Sequence, residues 1–194
     1  MMFRLRLRTD PQWASLATAH PEEILSDHAW CEQKAASTAI SLINQYSEFP
    51  TLVEAMTDLV REEWEHFSRV LEILKRRGLR LRPQRRDNYV NELMAWRTTS
   101  HHKLDRLRDH LLVAAMVEAR SCDRFRVLSE NISDPELRAF YRDLMESEAT
   151  HYTVFITLAR ELTGRALTDA RWTNLLDYED AIIRKYCQGT AIHG

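Results

Sequence analysis

Glycine and proline are scarce, with 4 and 5 among 194 residues, against average usages of roughly 7% and 5%. So few turn-formers leave little room for hairpins or short strands, and the chain is expected to run in long helices. Cysteine is scarcer still. Cys31, Cys122 and Cys187 are odd in number and far apart, with no Cys-x-x-Cys pair. That argues against a disulfide framework and fits reduced thiols in a cytoplasmic protein. No apolar run approaches the roughly 18 to 20 residues that a membrane span needs. The opening Met1-Met2-Phe3-Arg4-Leu5-Arg6-Leu7-Arg8 alternates charge with apolar residues and lacks the continuous apolar stretch of a signal peptide. A net charge of −2 gives no general pull toward nucleic acid, so any such contact needs a local basic patch.

What remains is a composition, 44% hydrophobic and 29% charged, that suits one all-α domain over residues 1–194 with a full core. Helical periodicity runs from Pro21 to about Ser47, with proline in the first turn. A second stretch is capped by Thr51 and ends near Arg77, where Gly78 stops it. A third covers about His101 to Asn131, with a start as early as Tyr89 left open. Asp134-Pro135-Glu136 reads as cap, first-turn proline and acidic first turn of a fourth, which ends near Gly164. A shorter helix, about Thr168 to Tyr186, follows the core bundle of residues 21–164.

The chemistry lies in the apolar seams. Glu63-Trp64-Glu65-His66 and Glu148-Ala149-Thr150-His151 are both Glu-x-x-His, which on a helix puts a carboxylate and an imidazole on one face. Taken singly, such a motif arises by chance. Its position is what matters. The second helix carries Met56, Leu59, Glu63, His66 and Val70 at three-four spacing, and the fourth carries Leu137, Tyr141, Leu144, Glu148, His151, Phe155 and Leu158. The first gives Leu25, His28, Glu32, Ala35, Ala39 and Leu42; the third gives Leu104, Leu107, Leu111, Ala114, Glu118, Ser121, Phe125 and Leu128. Each helix thus sets a glutamate inside its own apolar stripe. Glu32 and Glu63 are 31 residues apart and Glu118 and Glu148 are 30 apart, so the two helix pairs follow one hairpin plan.

An unpaired buried carboxylate forfeits several kcal/mol of hydration. Two divalent cations would balance four of them, with two neutral imidazoles completing the set. One Glu from each of two helices and Glu-x-x-His from the other two is the arrangement known for ferritin-like di-iron and di-manganese bundles. Oxygen-rich ligation with one imidazole per metal favours iron or manganese over zinc. Glu32, Glu63, His66, Glu118, Glu148 and His151 are therefore the candidate ligands. Around them, His28 and Tyr141 are either neighbours of the site or packed core, and Cys122 is expected to be a buried thiol, since soft sulfur suits this donor set poorly.

The sequence also resembles one family, the MiaE tRNA hydroxylases. The resemblance rests on Asp27-His28-Ala29 with Glu32-Gln33-Lys34-Ala35-Ala36-Ser37, Glu62-Glu63-Trp64-Glu65-His66-Phe67, Val117-Glu118-Ala119-Arg120-Ser121-Cys122-Asp123-Arg124-Phe125 and Ser147-Glu148-Ala149-Thr150-His151. It implies a ferritin-like four-helix bundle, two iron ions on the six candidate ligands, and oxygen-dependent hydroxylation of the isopentenyl side chain of 2-methylthio-isopentenyl-adenosine in tRNA. It further implies tRNA and an electron-donating redox protein as partners. Small residues at Ala35, Ala36 and Ala39 serve either a cavity or tight helix packing.

One local charge concentration stands out. Lys75, Arg76, Arg77, Arg80, Arg82, Arg85 and Arg86 fall in the connection between the two hairpins with no acid among residues 75–86. Arginine forks suit phosphate oxygens, so this segment is expected to contact tRNA, with Arg4, Arg6 and Arg8 adding to it. The competing readings are a ferritin-type iron-oxidising protein without an organic substrate, and a metal-free helical protein that binds RNA through the basic segment.

Overall fold

The computed structural model describes residues 3–186 and 191–193, so Cys187 lies outside the described residues. Among them there are seven helices and no strand: α1 (Gln12–Ala19), α2 (Pro21–Gln45), α3 (Pro50–Arg76), α4 (Asn88–Ala95), α5 (Lys103–Asn131), α6 (Pro135–Thr163) and α7 (Arg165–Tyr186). They fall into two compact units. One comprises residues 16–86 with 191–192; the other comprises residues 3–15 and 87–186 with 193.

The first unit is built on the antiparallel hairpin α2–α3. Pro21 and Pro50 each occupy a first turn, where the missing N–H costs nothing because that donor would have no partner inside the helix. Pro50 rather than Thr51 therefore starts α3, and Phe49 takes the cap position without a side-chain bond. Lys75 and Arg76 close α3 against its negative end. Gly78 then turns left-handed at φ 67°, letting Leu79 N–H reach Leu74 O at 2.9 Å. The segment beyond is strapped to α2: Ser26 Oγ accepts from Arg82 N–H at 3.0 Å, and Trp30 Nε1 donates to Arg82 O at 2.8 Å.

The second unit is built on α5–α6, with α4 and α7 packed on α5. Asp134 caps α6 by accepting from the N–H groups of Glu136 and Leu137. The stretch left open between Tyr89 and His101 holds a separate helix, α4, whose cap Asp87 accepts from Val90 N–H at 2.9 Å. The C-terminal helix is longer than expected, starting at Arg165. Leu104, placed on the third seam, is instead 44% exposed at the first turn of α5. Beyond that turn α5 is buried almost all round, and its buried set includes Asp109, Arg120, Asp123 and Arg124. Each of these charges has a placed partner. Arg171 forks Asp109, Asp123 accepts from Arg8 and from Thr9 N–H, and Arg124 lies 4.1 Å over the Trp13 ring.

His110, half-buried on α5, is pushed down to about 4 by burial and by the positive charges of Arg97 and Arg106, with Asp109 opposing. The neutral ring is thus preferred by the fold. Its share of stability is whole above an unfolded-state value near 6.5 and drains as pH falls from there to about 4. His110→Gln is expected to flatten the decline in urea midpoint between pH 6.5 and 4 relative to the parent chain. Parallel curves for the two proteins would show that other groups carry that decline.

Candidate metal centre

In the α2–α3 unit, the seam of α3 places Met56, Leu59, Glu63, His66 and Val70 in the interior, as their spacing predicts. Glu32 comes from α2. Glu32, Glu63 and His66 are each at most 6% exposed and each offers a ligand atom within 4.8 Å of the other two. His28, one turn before Glu32, brings Nε2 to 2.7 Å from Oε1 of that carboxylate, while His66 Nδ1 lies 3.4 Å from Oε2. Burial alone would push the Glu32 carboxyl up. The hydrogen bonds from His28 and His66 and a further one with Glu63 outweigh it and hold Glu32 well below the usual carboxylate range. His28 is thereby a direct partner of a candidate ligand, not a bystander in the core.

The α5–α6 unit repeats the composition. Glu118 from α5 and Glu148 and His151 from α6 are all buried, again with a ligand atom each inside 4.8 Å. Ser147 Oγ lies 3.5 Å from His151 Nε2. Each unit therefore carries two carboxylates and one imidazole in a dry interior. That donor set fits iron: a divalent ion cancels both charges, and carboxylate oxygen with imidazole nitrogen matches its ligand preference.

The residues around these triads divide clearly. Tyr141 is buried, with ring centroids 5.4 Å from Phe125 and 5.3 Å from Phe140. The Cys122 thiol donates to Met145 O at 3.2 Å, and burial with the nearby Asp123 charge pushes it up to about 12. It stays a neutral thiol within the α5–α6 packing, as expected. Ala36 and Ala39 are buried and Ala35 is half-buried. Ser121, one turn after Glu118, lies 3.1 Å from His193 Nε2, whose Nδ1 is 3.2 Å from Asp87 Oδ2. Nothing in the sequence pointed to His193, a lone histidine outside any helical period.

The basic segment is less free than its sequence suggests. Arg82 pairs with Glu23 at 3.0 Å and lies 3.8 Å from Glu22, and Arg85 lies 3.6 Å from Glu23 and 3.7 Å from Asp27. Arg76 approaches Glu72 at 3.9 Å. Lys75, Arg80 and Arg86 are exposed and Arg77 half-buried. Of the N-terminal arginines, Arg6 pairs with Asp177 and Arg8 with Asp123, so these two are committed to the fold. A groove of about 240 Å³ opens between α2 and the strapped segment, walled by Asp27, Trp30, Arg82, Pro83 and Arg85.

The family model described as tRNA-(MS[2]IO[6]A)-hydroxylase (MiaE) matches residues 2–194. A protein of Pseudomonas putida named tRNA 2-(methylsulfanyl)-N(6)-isopentenyladenosine(37) hydroxylase is 44% identical over 158 residues, covering 81% of this chain and 76% of that protein. Its namesake in Salmonella typhimurium is 26% identical over 192 residues, covering 75% and 70%. Among solved structures, a Synechococcus protein described as having aldehyde deformylating oxygenase activity superposes with a TM-score of 0.90 at 36% identity, over 98% of this chain and 95% of that one. The fold is all-α and ferritin-like, as the seams implied.

Proposed function

This chain belongs to the MiaE family of tRNA hydroxylases, the premise on which we propose that it hydroxylates the isopentenyl side chain of 2-methylthio-isopentenyl-adenosine in tRNA. Glu32, Glu63, His66, Glu118, Glu148 and His151 would hold the two irons that serve the reaction. The observation that carries this reading is the repeated buried triad, two carboxylates and one imidazole in each helix pair. Likeness to an oxygenase supports oxygen chemistry over iron storage.

In the balanced reaction one atom of O2 enters the C–H bond and the other leaves as water. Two electrons from an external redox protein and two protons complete it. The iron pair, when bound, supplies the oxygen activation that no side chain can provide. The chain's own residues hold and exclude. His28 fixes one oxygen of Glu32 and leaves the other toward His66, which orients both donors before metal arrives. The apolar neighbours on each seam, Leu59 and Val70 on α3 and Leu144 and Phe155 on α6, keep bulk water from a strongly oxidising site. No described helix is long and apolar enough to cross a membrane. A tRNA substrate is reached in the cytoplasm, where we place the enzyme.

The test is nucleoside mass spectrometry on tRNA from a host that makes the isopentenyl adenosine but cannot hydroxylate it, with and without this gene. The host's reductases supply electrons. A mass gain of one oxygen on that nucleoside is expected. Unchanged nucleoside in cells that contain soluble, iron-loaded protein would overturn the substrate assignment and favour iron oxidation.

A further inference from the structure

The α2–α3 unit exposes a tryptophan inside the very stretch that supplies two candidate ligands. Trp64 is 53% exposed, although Glu63 and His66 beside it are buried. A single exposed apolar residue is ordinary. This one is not single. Its ring lies 5.1 Å from Phe67, and Phe67 lies 6.4 Å from Trp30, both half-buried. The three rings form a ladder across α3 and α2. Trp30 is pinned by its bond to Arg82 O and is also a wall of the 240 Å³ groove with Pro83, with Arg82 and Arg85, and with Glu23 and Asp27, the acids those arginines approach.

Helix geometry extends the ladder toward positive charge. Trp64, Ser68, Leu71 and Lys75 recur at three-four spacing and share one face of α3, with Lys75 about 16 Å along the axis from Trp64. The acids Glu62, Glu65 and Glu72 lie about 160°, 100° and 80° around the helix from Trp64, and Glu72 is 3.9 Å from Arg76. Past Lys75 come exposed Arg76 and Arg80. One exposed ring backed by two half-buried ones, leading to cations at one end, matches unpaired nucleotides: every base offers a ring to stack, and phosphates take the cations.

We propose that the Trp64–Phe67–Trp30 ladder and its adjoining groove bind unpaired bases flanking the target adenosine, with the RNA backbone running toward Lys75 and Arg80. The inference rests on the tRNA hydroxylase reading. It also gives the acid-paired arginines a role: Arg82 and Arg85 shape the groove, while exposed Lys75 in the last turn of α3 and Arg80 beyond it meet phosphate.

The full-length, iron-loaded chain would be titrated with a fluorescently labelled RNA stem-loop of the anticodon arm, read by anisotropy across a salt series. Stacking on one ring makes Trp64→Ala about tenfold weaker in Kd, with Trp64→Phe between it and the parent. Lys75→Ala is expected to lower the slope of log K against log salt by about 0.7, the signature of one lost phosphate on a single strand. Iron content and helical circular dichroism serve as folding controls. Unchanged Kd in Trp64→Ala overturns the ladder, and so does an altered assembly size with unchanged RNA affinity, which would make this face a contact between copies of the chain. If the parent chain hydroxylates tRNA while Trp64→Ala keeps its Kd and KM, only the ladder fails. A parent chain that neither binds nor hydroxylates tRNA brings down the substrate reading with it.

Discussion

Glu63→Ala is expected to cost more than about a hundredfold in metal affinity and to bring tRNA hydroxylation below detection, yet leave the metal-free chain folded. Even the outer partners of metal ligands cost about 10- to 100-fold in affinity when removed, and Glu63 is a candidate ligand. The stability half follows from its surroundings. Glu63 is 1% exposed and shares a dry pocket with Glu32 and His66. Without iron, burying a carboxylate there costs hydration that its neighbour His66, 3.8 Å from Oε2, only offsets in part, so its removal relieves a cost about as large as the packing it forfeits. Iron retained after desalting and thermal melting without iron measure the two halves. Glu65→Ala is the control: two residues on, exposed, it should keep both iron and turnover. If Glu63→Ala retained two irons per chain and still hydroxylated tRNA, the ligand assignment would be wrong.

That prediction was within reach of the sequence because a carboxylate in an apolar seam contradicts its surroundings, and the contradiction repeats at matched spacing. Glu32, Glu63, Glu118 and Glu148 all proved to be buried. Three-four periodicity located the four long helices to within a few residues for the same reason: each has enough turns for its stripe to show. The eight-residue helices α1 and α4 have two turns each, too few for a stripe to rise above noise. Periodicity also misjudged α5, which reads as amphipathic because Asp109, Arg120, Asp123 and Arg124 interrupt it. These charges are interior: Arg171 pairs with Asp109, Glu179 with Arg120, Arg8 and the Thr9 N–H with Asp123, and the Trp13 ring lies against Arg124, all from remote parts of the chain. The basic segment hides its partners in the opposite sense, at Arg82 and Arg85. Its acid partners Glu23 and Asp27 lie nearly 60 residues away on α2, so a window over residues 75–86 shows only the positive half of each pair.

Arg120→Ala is expected to be the most damaging substitution away from the candidate ligands, lowering stability by about 3–5 kcal/mol and the melting temperature by about 10 °C. Glu118-Ala119-Arg120-Ser121-Cys122 carries part of the family resemblance, and its arginine serves the fold by pairing with Glu179. Arg120 is 1% exposed and donates to Glu179 of α7 and to Leu7 O at 3.0 Å; Tyr89 of α4 donates to the same Glu179 at 3.0 Å. One guanidinium thus ties the N-terminal segment and the C-terminal helix to α5, which accounts for α7 packing there. Burial already raises the Glu179 carboxyl, with Arg120 opposing. Without Arg120 that carboxyl moves further above its unfolded-state value, so the fold prefers it protonated. The sign is then fixed: the deficit is smallest below pH 4.5, where the same carboxyl in the unfolded chain is also mostly protonated, and grows as pH rises toward the shifted value. Urea denaturation at pH 5 and pH 8 should show the larger loss at pH 8. The paired change Arg120→Met with Glu179→Leu should recover part of it, since no buried charge is left alone; Leu7 O and the Tyr89 hydroxyl would still lose their partners. Equal losses at both pH values, or a double variant no better than Arg120→Ala, would mean that shape rather than the ion pair holds α7 in place.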